Sequence, residues 1–120
     1  MKPYPQMPPF TQDEIEAFLN EAPIARLCSL NSDGTIHIAP VYFKYDNGDI
    51  IIGTQDMTHK VRNIKNNPQV TLLIDNQAYP WKGVLIYGKA ALDYNDVVAK
   101  RASIFERYQS PEDAQEFAAD

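Results

Sequence analysis

The sequence predicts an α+β domain, mainly β, in which an antiparallel sheet closes on itself and helices lie at its periphery. Three observations support this prediction. Short apolar segments alternate with turn clusters rich in Asn, Asp and Gly, the pattern of strands joined by tight connections. Helical spacing replaces strand patterning only at the start, after the third strand and at the end. Pro40 falls inside the second strand, and because proline cannot donate to a ladder it marks an opening or a bulge there.

Each element follows from local chemistry. Thr11-Gln-Asp-Glu14 has the capping-box pattern, with Ile15, Phe18, Leu19 and Ala22 at helical spacing until Pro23 closes the first helix. Ile24 to Leu30 is the first strand, Asn31-Ser-Asp-Gly34 the turn, and Thr35 to Tyr45 a longer second strand. Asp46-Asn-Gly-Asp49 turns into a third strand, Ile50 to Thr54. Thr58 caps a short helix through Lys65, which Asn66-Asn-Pro68 stops. Val70 to Ile74 is the fourth strand, Asp75 to Lys82 a loop, and Gly83 to Leu92 the fifth strand. Val97 to Tyr108 carries helical spacing, and Ser110-Pro111 reads as N-cap and first residue of a last helix.

At 120 residues the chain fits one domain, residues 11–120, behind a proline-rich tail at 1–10 that lacks the pattern of a signal peptide. No apolar run approaches the roughly 20 residues of a membrane span, so a cytoplasmic protein without a membrane partner is expected. A net charge of −5 argues against nucleic acid, whose binding rests on many cationic contacts. Cys28, the lone cysteine, permits no internal disulfide or thiolate metal site and reads as a small buried apolar residue. His37 and His59 fall in no ligand pattern, so no metal is expected, and His37 is expected to alternate outward on its strand. Glycine-rich nucleotide loops and a nucleophile elbow are absent from the sequence.

The most informative stretch runs from Gly53 to Arg62, leaving a strand and turning directly into a helix. A helix N-terminus presents unpaired N–H groups and the positive dipole end, so an anion is favoured where Thr54, Thr58 and Lys60 converge. Lys60, Arg62 and Lys65 add a local excess of positive charge in an acidic chain. The alternative is a solvated helix face. Tyr42, Phe43, Tyr45, Tyr79, Trp81 and Tyr87 offer apolar walls for a planar ligand, or simply core and surface packing.

Six pieces then occur in a familiar order: Asn31-Ser-Asp-Gly34, Ile38-Ala-Pro-Val-Tyr-Phe43, Ile50-Ile-Ile-Gly-Thr54, His59-Lys-Val-Arg-Asn-Ile64, Asn67-Pro-Gln-Val-Thr-Leu-Leu73 and Gly83-Val-Leu-Ile-Tyr-Gly-Lys-Ala90. Over Ile15 to Asp93 the chain resembles the FMN-binding proteins related to pyridoxamine 5′-phosphate oxidase. The resemblance implies an antiparallel split β-barrel with peripheral helices and a homodimer with cofactor sites between protomers. By it, Thr54, His59 and Lys60 stand at the flavin phosphate, and Ala39, Pro40, Val41 and Tyr42 offer backbone to the ring edge. Trp81 and Lys82, with Tyr79, reach the flavin held mainly by the other subunit.

Departures narrow the implied activity. Ile38 and Phe43 stand where oxidase members carry arginine and lysine, and Lys82-Gly83 stands where they carry Arg-Gln. The oxidases' C-terminal substrate Arg and His also lack counterparts, since no His follows His59 and no Arg follows Arg107. Oxidation of pyridoxamine phosphate is therefore not expected. The implied function is an FMN-dependent oxidoreductase acting on a small-molecule redox substrate. F420 as cofactor, a non-enzymatic flavin or haem binder, and an interaction module without cofactor are the alternatives.

Overall fold

A computed structural model describes residues 9–119, so most of the expected tail lies outside the described residues. The elements in chain order are α1 (Gln12–Glu21), β1 (Ala25–Leu30), β2 (Ile36–Val41), β3 (Phe43–Asp46), β4 (Asp49–Ile52), α2 (His59–Asn66), β5 (Gln69–Asp75), β6 (Gly83–Lys89), α3 (Val97–Phe105) and α4 (Pro111–Ala119). They form two antiparallel sheets, one ordered β2-β1-β5-β6 and the other β3-β4. The antiparallel α+β architecture is the one expected. None of the helices among the described residues is long and apolar enough to cross a membrane.

Local chemistry accounts for the connections. The capping box of α1 is complete: the Thr11 hydroxyl accepts from the Glu14 N–H at 3.2 Å, and the Thr11 N–H donates to Glu14 Oε1 at 3.0 Å. In the β3–β4 turn Asn47 and Gly48 sit at φ of 49° and 93°, the left-handed pair that a two-residue hairpin requires. Asp113 N–H donates to Ser110 Oγ at 3.2 Å, so Ser110 caps α4 as expected. Thr58 occupies the N-cap of α2 without bonding its N–H groups; its hydroxyl donates instead to the Gln55 carbonyl at 3.0 Å.

The second predicted strand is two strands, which corrects the expected count. The break falls at Tyr42, two residues beyond the proline, and the α3–α4 connection fills it. The Phe43 N–H donates to Tyr108 Oη at 3.3 Å, Tyr108 Oη donates back to the Phe43 carbonyl at 3.3 Å, and Arg107 donates to the same carbonyl. Backbone groups that lose a ladder partner thus gain side-chain partners, as buried peptide groups require. β6 also ends at Lys89 rather than continuing to Leu92, its last pair being with Gln69.

The core lies between the inner face of the larger sheet, α1 and the β3–β4 hairpin. Ala25, Leu27, Leu72 and Ile74 face inward from β1 and β5 and pack with Phe18, Leu19, Val41 and Phe43. The alternate positions face outward. Cys28 pairs with Ile38 on that outer face and is half-buried, so it is not the core residue expected. His37 pairs with Ser29 on the inner face and is half-buried, against the expectation that it points outward; its Nδ1 is buried without a hydrogen-bond partner among the described residues.

Candidate functional site

A cleft of about 530 Å³ opens where the two sheets part. Pro40 and Val41 from the end of β2, Tyr42 at the break, and Gly53, Thr54 and Gln55 after β4 line it. Lys60 from α2, Arg101 and Phe105 from α3, and Gln109 and Phe117 complete the lining. Tyr42 stacks on Tyr108 with ring centroids 4.4 Å apart and meets Phe105 edge-on at 6.2 Å. Among the described residues no aspartate or glutamate lines the cleft, so Lys60 and Arg101 make its lining cationic within an acidic chain. Its size falls within the range of small-molecule sites, and apolar and polar side chains share its lining.

The tertiary fold brings together Pro40, Val41, Tyr42, Thr54 and Lys60 from the residues singled out in the sequence. It places His59 elsewhere. Consecutive helix residues project about 100° apart, and the His59 ring turns to a second recess, of about 390 Å³, lined by Asn31, Asp33, Arg62 and Asn63. His59 Nε2 lies 2.7 Å from Asn31 Oδ1, and its ring stacks on His37 at 4.7 Å. Asn63 Nδ2 donates to Asn31 Oδ1 at 2.9 Å and to Ser29 Oγ at 3.1 Å, tying α2 to β1. Ala39 is half-buried on the inner face of β2, outside the cleft lining. Trp81 and Lys82 are exposed on the β5–β6 loop, outside both recesses; the Lys82 N–H donates to Asn76 Oδ1 at 2.9 Å.

The expected cluster of Lys60, Arg62 and Lys65 is dispersed around α2. Arg62 lines the second recess, and Lys65 pairs with Asp56 at 3.5 Å. Asp56 also accepts from Tyr94 Oη at 2.7 Å, which holds its carboxyl below the ordinary value, with Lys65 adding to the effect. The same hydrogen bond pushes the Tyr94 phenol up. A depressed carboxyl pKa contributes stability that is present above the unfolded carboxylate range and is lost as pH falls through the folded value. A raised phenol pKa contributes stability that is full below the unfolded value of about 10 and is lost as pH rises through the folded one. Tyr94→Phe is expected to move Asp56 back up toward its ordinary value, read as a carboxyl-carbon NMR titration; an unmoved Asp56 would show that Lys65 alone sets it.

Arg101, Phe105, Gln109 and Phe117 escaped the sequence reading. Arg101 and Phe105 stand four apart on α3 and so share a helix face, but only packing shows that this face meets the cleft. Arg101 Nε and Gln109 Oε1 are both buried without a hydrogen-bond partner among the described residues.

Solved structures share this fold. Rv2991, a conserved hypothetical protein from Mycobacterium tuberculosis, superposes with a TM-score of 0.80 at 23% identity, covering 91% of this chain and 72% of that one. The haem storage protein HutZ from Vibrio cholerae gives 0.69 at 17% identity, over 89% of this chain and 80% of that one. A structure described as an F420 reductase gives 0.70 at 23% identity, over 78% and 75%. At these identities the likeness is one of fold. No curated protein matches the sequence. The sequence model of the pyridoxamine 5′-phosphate oxidase family matches residues 11–119, nearly the whole chain, and the chain belongs to that family.

Proposed function

We propose that the protein is a cytoplasmic, homodimeric, FMN-binding oxidoreductase acting on a small-molecule substrate, with the cofactor in the cleft between β2, α2 and α3. The observation that carries the reading is the cleft itself: cationic, without a carboxylate among the described residues that line it, and walled in part by Pro40, Val41, Tyr42 and Phe105. Those groups fit a flavin phosphate at one end and an apolar ring along the other. Lys60 holds the phosphate by a charge-assisted hydrogen bond and Thr54 by its hydroxyl. Thr54 Oγ1 lies 3.4 Å from Thr58 Oγ1, so the hydroxyls converge at the start of α2. His59 contributes through its backbone N–H in the first turn of that helix, its imidazole being engaged by Asn31. Backbone of Ala39 to Tyr42 meets the ring edge, and Tyr42, held by its stack on Tyr108, excludes water from one side. Bound FMN supplies the hydride and electron chemistry that no side chain here provides.

The dimer reading is supported by the outer face of the larger sheet. Ile38, Leu85 and Tyr87 are 61%, 53% and 72% exposed there, with Ile36 beside them. An apolar face of this kind marks an association surface. The radius of gyration of 16.0 Å exceeds the roughly 13–14 Å of a compact domain of this length, and the extents of 52 × 40 × 22 Å show a flattened protomer. In this reading Trp81 and Lys82 contact the cofactor of the partner, and their exposure on the β5–β6 loop is consistent with it. Introducing a charge with Ile38→Asp is expected to convert the dimer to monomer, measured by light scattering after gel filtration; an unchanged dimer would put the interface elsewhere.

The deciding experiment is an absorption spectrum of gently purified protein with the released small molecule identified by mass. Flavin bands and the mass of FMN support the proposal, and competitive titration with F420 checks the choice between them. A Soret band would favour haem, although neither histidine lines this cleft. A colourless protein that binds neither added FMN nor F420 leaves the fold without this function.

A further inference from the structure

The cleft holds a cation that the reading above does not use. Arg101 is half-buried and lines the same cleft as Lys60. Gly53 makes room for it: a Cβ there would lie 3.3 Å from Arg101 Cγ, so the missing side chain lets α3 lay Arg101 against the end of β4. The placement is unusual in a chain with 16 acidic and 11 basic residues. Arg26, Lys65 and Lys100 each pair with an aspartate, whereas neither Lys60 nor Arg101 has a carboxylate partner among the described residues. The Arg101 Nε also goes without any hydrogen-bond acceptor among the described residues. Cations that face one cleft repel each other, and in a partly desolvated site only an anion between them offsets that cost.

We propose that Arg101 is a ligand-binding residue that completes, with Lys60, a two-cation seat for a phosphate monoester carried by the bound ligand. In taking that monoester to be the one on FMN, the inference rests on the function proposed above. A monoester carries a charge of about −1.5 to −2 at neutral pH, which two cations match. Arginine adds a planar fork of donors suited to adjacent phosphate oxygens, which lysine cannot reproduce. The seat thus draws on elements distant in sequence, Lys60 from α2 and Arg101 from α3.

The test is titration of FMN and of riboflavin, which differ by the phosphate alone, into the ligand-freed full chain of wild type, Arg101→Gln and Arg101→Lys. Wild type is expected to prefer FMN. Arg101→Gln is expected to lose about tenfold to a hundredfold in FMN affinity, the scale of a hydrogen bond to a charged group, with riboflavin affinity unchanged. Arg101→Lys is expected to recover part of the loss, and it serves as the reading if the glutamine variant does not fold. Unchanged FMN affinity in both variants overturns the proposal, and so does an equal loss for FMN and riboflavin, which marks a packing role. A wild type that binds both ligands equally overturns the monoester seat and leaves the flavin reading standing. A wild type that binds neither overturns both.

Discussion

Arg107→Ala is expected to lower the free energy of unfolding by about 3 kcal/mol, the largest loss anticipated for a single side chain outside the apolar core. Its guanidinium donates to the Ala22 carbonyl at 2.7 Å, to the Asn20 carbonyl at 3.1 Å and to the Phe43 carbonyl, and it lies over the Phe43 ring at 4.6 Å. The first two carbonyls belong to the end of α1, whose last turn carries no basic residue of its own. Helix C-terminal carbonyls lack partners within the helix and carry the negative end of its dipole, so a cation from elsewhere satisfies both demands. Hydrogen bonds to a charged group contribute roughly 1.5–3 kcal/mol each, and water replaces part of the loss at the exposed side. Arg107→Lys is expected to recover less than half, because a point charge cannot reach carbonyls on two elements at once. Denaturant unfolding measures both variants. A loss under about 1 kcal/mol, the ceiling for surface ion pairs such as Lys100 with Asp93, would mean the fork contributes no more than they do.

Lys60→Glu is expected to weaken FMN binding by a hundredfold or more while leaving thermal stability nearly unchanged. The substitution removes one charge-assisted contact and places a like charge in the path of the phosphate, and like-charge juxtaposition in a partly buried site costs several kcal/mol. Folding is spared because Lys60 forms no ion pair among the described residues. Fluorescence titration of FMN against both proteins reads the effect. Equal affinities would remove Lys60 from the phosphate site, and His59→Ala, whose ring faces the other recess, is expected to cost only a few-fold.

Much of the scaffold was legible residue by residue. The capping box at Thr11, the left-handed turn at Asn47-Gly48 and the Ser110-Pro111 start of α4 are all written within four residues and appear as written. The break in the second strand was also signalled, by Pro40, but its position at Tyr42 depends on Tyr108 and Arg107 arriving from more than sixty residues away in the chain. The cationic stretch after Thr54 was equally visible as composition, yet once α2 packs on β1 Lys60 lines the cleft, His59 and Arg62 line the second recess, and Lys65 pairs with Asp56.

What the sequence determined by itself is therefore most of the elements, the antiparallel character of the sheet and the family. Those properties depend on backbone preference and side-chain period, which act over a few residues. Tertiary structure alone decided that Lys60 faces a cleft and His59 does not, that Arg101 and Phe105 close that cleft, and that Arg107 fastens α1 to the split between the sheets. Each of these is a meeting of side chains from elements far apart in the chain. Which of them meet depends on how buried faces and orphaned backbone groups are satisfied together, a condition no local stretch of sequence contains.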